Sequence, residues 1–181
     1  MRLNRSKRRR SGATTVEFAL VSILLFTMLF GILEYARFLF IHHMTTNAAR
    51  DGARFAVVHT GGGTMPNEPA TISTADVISV VTTGNFAGNT DSTIRYGAGM
   101  CGLEGNLVGY NVAVYAIPDA SLYLSTPDID PAGKPAWNSS AFQQKIGVQI
   151  TGTYYPVVPG LIGLSSSIPF KVTVILGSEA N

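Results

Sequence analysis

Sixteen consecutive residues, Phe18 to Leu33, contain no charge, no proline and only two hydroxyls, Ser22 and Thr27. A helix on the surface of a small domain needs a polar side, and this stretch is apolar on every face. Ala13 to Val16 lengthen it toward the N-terminus, and Phe38 to Ile41 are apolar again after Glu34 and Arg37. About 20 helical residues cross a hydrocarbon core of about 30 Å. The run meets that length with Glu17, or the Glu34 and Arg37 pair, near an interface. A membrane-spanning helix is therefore the first expectation.

Charge supports it. Only 13% of the 181 residues are charged, against about a quarter in an ordinary soluble domain. Six of the 13 basic residues fall within the first ten positions, and all 11 acidic ones come later. From Ala13 onward seven basic residues meet eleven acidic ones, a balance of −4. A short basic block can bind nucleic acid, but an apolar run directly behind it favours a block held on the cytoplasmic side of a membrane. The lone cysteine, Cys101, cannot form an internal disulfide, so the outer body relies on packing or pairs Cys101 with another chain.

The helix is expected to continue beyond the membrane. Between Leu33 and His59 there is no proline, and Gly52 is the only glycine. Ala36, Phe40, Met44, Ala48, Gly52, Phe55 and Ala56 recur at steps of three and four, the period of one helix face. Glu34 and Arg37 can pair across a turn, as can Asp51 and Arg54. Gly61-Gly62-Gly63 is the expected stop, with Pro66 and Pro69 preventing a restart. A helix from Ala13 to His59 is roughly 70 Å long at 1.5 Å per residue, so about half of it projects into water.

Further on, Ser73 and Asp76 fit a capping box that opens a short second helix over Ser73–Thr83. The pattern then turns to β. A weak strand is expected near Ser92–Tyr96, and clear ones over Tyr110–Ile117, Phe142–Tyr155 and Ile168–Leu176, with Pro118–Ser140 as a long loop. The fold class is α+β: a long N-terminal transmembrane helix extending into a small antiparallel sheet domain, pilin-like in outline. The expected divisions are a leader at 1–12, the transmembrane and extended helix at 13–60, a Gly/Pro linker at 61–72 and an extracytoplasmic α+β domain at 73–181.

A secretory signal peptide places its small-residue cleavage site after the apolar run. Here Ser11, Gly12 and Ala13 come before it, behind Arg8-Arg9-Arg10. This arrangement resembles a prepilin leader: basic peptide, glycine, and glutamate at the fifth position after it. The resemblance implies cutting by a membrane prepilin peptidase between Gly12 and Ala13. Glu17 and Phe18 then become the E-F pair of the mature chain. It also implies that Glu17 sets assembly register by meeting a neighbour's amino terminus. A carboxylate in an apolar helix is costly unless paired, which gives that role its physical basis. The bland alternative, Glu17 at the cytoplasmic interface and Gly12 as a joint, stays open on the residues alone.

Gly31-Ile32-Leu33-Glu34-Tyr35-Ala36-Arg37, followed by Asn47-Ala48-Ala49-Arg50-Asp51-Gly52-Ala53-Arg54, resembles the TadE-like minor pseudopilins of tight-adherence (Flp-type) pilus systems. The likeness is specific over residues 8–56. Beyond that, Tyr154-Tyr155-Pro156 and Pro159-Gly160-Leu161 resemble the family's Y-P-x-x-P-G-L hairpin, while residues 61–140 depart from the pattern. The resemblance implies a helix motif and packing role for Glu34, Arg37, Asn47, Ala48, Arg50, Gly52 and Arg54. It implies partners among other pilin or pseudopilin subunits, a TadF-like partner and the major pilin included. It places the chain in a bacterial inner membrane, N-terminus cytoplasmic and C-terminal domain outside, with possible entry into a pilus.

Other chemistry finds little support. His42 and His43 point about 100° apart on a helix and cannot share a metal. Asp119, Asp128 and Asp130 lie in a loop, where solvation suffices. No phosphate loop and no Ser–His or Cys–His arrangement is present. No catalytic residue, metal, cofactor, nucleic acid or small-molecule substrate is expected. Two rivals to the pseudopilin reading remain: a permanent single-span anchor whose outer domain binds a ligand or envelope component, and a membrane-tethered enzyme.

Overall fold

The computed structural model describes residues 11–60, 72–86, 95–100, 107–117, 136–139 and 144–177. One helix, α1, runs unbroken from Ser11 to Val58. By length and composition it is able to cross a membrane. A second helix, α2, spans Thr74–Thr83. Three strands follow: β1 Leu107–Ile117, β2 Lys145–Tyr154 and β3 Ile168–Gly177. They form one antiparallel sheet in the order β1-β2-β3. The α+β class expected from the sequence is the class observed.

Local chemistry explains the elements. Ser73 caps α2 and Asp76 returns the bond: the Asp76 N–H donates to Ser73 Oγ at 3.3 Å, and the Ser73 N–H to Asp76 Oδ2 at 2.9 Å. Gly84, left-handed at φ 79°, closes the helix by donating its N–H to the Val80 carbonyl. In the sheet, Val114 stands opposite Val148 and Val148 opposite Val174. Successive side chains alternate between faces, so Val112, Val148, Ile150 and Val172 share the face that joins Ile41, Ala48, Ala49 and Ala53 of α1 in one core. On the opposite face Tyr115 covers Gly147, where a Cβ would stand 2.7 Å from the ring. The Tyr115 hydroxyl is buried without a hydrogen-bond partner, and burial pushes its pKa up.

A second core gathers Phe55, Ala56 and Val57 of α1 with Ile72, Val77, Val80, Phe86, Trp137 and Ile146. Gly52 admits α2: a Cβ there would lie 2.3 Å from Val81 Cγ2. Trp137 is fully buried, and its indole N–H donates to Thr74 Oγ1 at 3.1 Å. Phe55, Phe86 and Tyr96 cluster with ring centroids 5.1–5.4 Å apart, Tyr96 edge-on to both phenylalanines. The loop-rich middle of the chain therefore supplies core, because large rings can be buried from irregular backbone as well as from regular elements.

Several expectations need correction. Ala36 and Phe40 do not belong to the packed face of α1; both are exposed. The buried stripe runs through Glu34, Ile41, Thr45, Ala48, Gly52, Phe55 and Ala56, because the sheet approaches from that side. The helix ends at Val58, with His59 and Thr60 in a buried turn, before the three glycines, which lie outside the described residues. Arg95 and Tyr96 are not in a strand, and 92–94 lie outside the described residues. The chain from Trp137 to Ser139 makes a 3-10 turn inside the expected loop. Asp51 does not pair with Arg54. Its Oδ2 accepts from the Ala98 N–H at 3.4 Å, against Gly97.

Candidate functional site

The site residues named from the sequence fall into three zones along α1. In the first, Gly12, Ala13, Glu17 and Phe18 all lie exposed within the first turns of the helix. Among the described residues no side chain comes near Gly12, and Phe18 is 73% exposed. Leu24, Leu25 and Met28 are likewise more than 60% exposed. Among the described residues nothing covers this stretch. Its hydroxyls are satisfied within the helix: Ser22 donates to the Ala19 carbonyl and Thr27 to the Ile23 carbonyl at 2.8–2.9 Å.

The second zone is a joint at Glu34, whose side chain is buried at 6% exposure. A carboxylate in such a place needs donors, and three elements supply them. Tyr154, at the end of β2, donates its hydroxyl to Oε1. The Val157 N–H, in the β2–β3 connection, donates to Oε2 at 3.2 Å. Arg37, one turn along α1, brings Nη1 to 3.5 Å from Oε1 and sets its guanidinium 5.4 Å above the Tyr154 ring. Phe38 meets Tyr154 and Phe170 edge-on at 5.4 and 6.3 Å. The Tyr154 hydroxyl is pushed up from 10.0 to about 12, chiefly by burial and then by its bond to the Glu34 carboxylate, with Arg37 acting the other way. The Glu34 to Tyr154 bond thus ties the helix, just beyond its apolar half, to the hairpin that carries Tyr-Pro and Pro-Gly. The latter includes a short helical turn, α3, at Pro159–Ile162.

In the third zone the segment Asn47–Arg54 divides by face. Ala48 and Gly52 are buried against the sheet and α2, while Asn47, Arg50 and Arg54 point outward. Arg50 and Arg54 flank a cleft whose other wall is Thr173 to Leu176 of β3. The structure therefore joins Glu34 to Arg37 and packs Ala48 and Gly52, but brings neither group near Glu17. Sequence reading missed Tyr154 and Val157 as partners of Glu34. The pairing spans 120 residues, and its only signal is the Tyr-Tyr-Pro segment already likened to the hairpin. His42 and His43 are exposed, ring centroids 6.3 Å apart. Among the described residues no three His, Cys, Asp or Glu converge to hold a metal. Cys101, Asp119, Asp128 and Asp130 lie outside them.

Residues 12–54 match the family model described as TadE-like protein, so the resemblance first drawn from motifs stands over this segment. The match links the chain to tight-adherence pilus assembly, to the membrane and to pilin subunits as partners; the family is a structural one. No curated protein and no solved structure matches the chain.

Proposed function

We propose that this chain is a minor pilin-like (pseudopilin) subunit of a tight-adherence pilus or related secretion machine. It starts as an inner-membrane protein, N-terminus in the cytoplasm and sheet domain outside. A prepilin peptidase removes residues 1–12 by cutting after Gly12. The freed helix then leaves the bilayer sideways into a helical assembly, where neighbouring pilin subunits replace lipid around residues 13–33. Glu17 sets axial register by meeting a neighbour's new amino terminus.

The observation that carries this reading is a helix matched to the TadE-like family over residues 12–54 whose first half has no packing partner among the described residues. Surface that apolar needs a bilayer or other subunits around it. Gly12 sits in the first turn of α1, where backbone N–H groups lack helical partners and the chain opens easily, as access to the scissile bond requires. Mass spectrometry of the mature N-terminus decides the matter. Ala13 is the expected first residue. A chain still beginning at Met1 in cells with active prepilin peptidase, and tolerant of Glu17 replacement, would be a permanent anchor instead.

A further inference from the structure

Beside Glu34 the surface opens into an apolar groove of about 400 Å³. Gly31, Tyr35 and Phe38 of α1 form one wall; Tyr154, Leu164 and Ile168 form the other. Almost no polar surface lines it, and the Glu34 oxygens are engaged by Tyr154, Val157 and Arg37. The volume lies within the usual range for small-molecule sites, roughly 300–1,000 Å³. A packed helix about 10 Å across would fill it with a single turn, whereas a flexible alkyl chain can follow its apolar lining.

Depth selects the occupant. If residues 13–33 fill the hydrocarbon core, Phe38 stands about 7 Å beyond its edge. The groove then straddles the boundary between acyl chains and headgroups and continues the exposed apolar surface of Ile32 and Leu33. Tyr35, 64% exposed, suits that interface. The Arg37 side chain, which holds Glu34 through Nη1, is at the same level and about one third exposed. An apolar wall at acyl depth beside a cation at phosphate depth matches an amphiphile with an anionic head. We infer that the groove holds one acyl chain of an outer-leaflet phospholipid, with its phosphate facing Arg37. The inference rests on the membrane-anchor reading above.

The test is native mass spectrometry of the full chain, moved from vesicles of phosphatidylethanolamine and phosphatidylglycerol into mild detergent. One phospholipid per chain should be retained. Leu164→Trp and Ile168→Trp, which fill the groove from its outer wall, should cut retention by about tenfold. Leu24→Trp, in the exposed apolar half, should leave it unchanged. No retained lipid, or equal loss in all three variants, overturns the inference, since the lipid would then be an unspecific shell. A detergent-resistant dimer that Leu164→Trp abolishes also overturns it, because the groove would then be a contact between copies. Alkaline extraction of the same membranes separates the two readings. A chain released by alkali removes the anchor reading and this inference together. A chain that stays in the membrane but keeps no groove lipid removes this inference alone.

Discussion

Residues 12–33 and 34–58 belong to one helix and stand in opposite relations to their surroundings. The first part turns Phe18, Leu24, Leu25 and Met28 outward with no described residue above them. The second turns Ile41, Ala48, Ala49, Ala53 and Ala56 inward at 0–1% exposure. Backbone hydrogen bonding is the same in both and cannot distinguish them. Side-chain size can. Large apolar groups dominate the part that lipid or another subunit must cover, and alanines, with Ile41 and Phe55 among them, dominate the stripe that meets the sheet and the second helix. Between the two sits Glu34, a buried acid that fixes where the folded body begins. One helix thus serves two solvents, and the joint keeps the body attached at a set height.

The strongest test of that contrast is at Glu17. Glu17→Ala should abolish pilus assembly while leaving membrane insertion and the unfolding midpoint of the outer body unchanged, as read by piliation, fractionation and near-UV circular dichroism. Normal piliation in the mutant would end the register role. Next, matched truncations should separate the halves. Ile41→Ala should destabilise the outer body by about 2–5 kcal/mol, the cost of a cavity in a packed core. Leu24→Ala should not move the same transition. Equal effects on thermal unfolding in detergent would show that the halves do not differ as described.

At the joint, Tyr154→Phe removes one of three donors to a buried carboxylate and should cost about 1–3 kcal/mol. The alkaline limb adds a sharper readout. Tyr154 ionises near 12 in the folded chain and near 10.0 when unfolded. The folded state therefore holds this proton more tightly. Its stabilisation is complete below pH 10 and is lost as pH rises from 10 toward 12. Tyr154→Phe should flatten that loss in alkaline unfolding curves and remove one late-ionising component of the tyrosinate absorbance. Identical alkaline curves for both proteins would count against the joint. The smallest effect belongs to Phe40, 58% exposed beside the buried stripe. Phe40→Ala should shift stability by no more than about 0.5 kcal/mol; a loss comparable to Ile41→Ala would return Phe40 to the packed face.

Much of the fold is legible from local pattern. Phe18 to Leu33 announce a membrane or assembly segment because an all-apolar helix of this length needs apolar surroundings on every side. The Ser73 and Asp76 pair announces α2, and the alternation around Val114, Val148 and Val172 announces the sheet. All are read within a few residues. The packed face of α1 is less legible. Ala36 and Phe40 satisfy the helical period as well as Ile41 and Thr45 do. Periodicity gives a repeat without saying which side the sheet approaches. The parts of the loop-rich segment that become core, Phe86, Met100 and Trp137, carry no period at all.

By itself, then, the sequence determined the long helix, its apolar half, the capped second helix and the three strands of the sheet, because each depends on neighbours close along the chain. Only the tertiary structure decided which stripe of α1 is buried, that Glu34 is held by Tyr154 and Val157, and that a groove opens beside them. Those features depend on residues about 120 positions apart meeting in space, and no local pattern encodes the meeting.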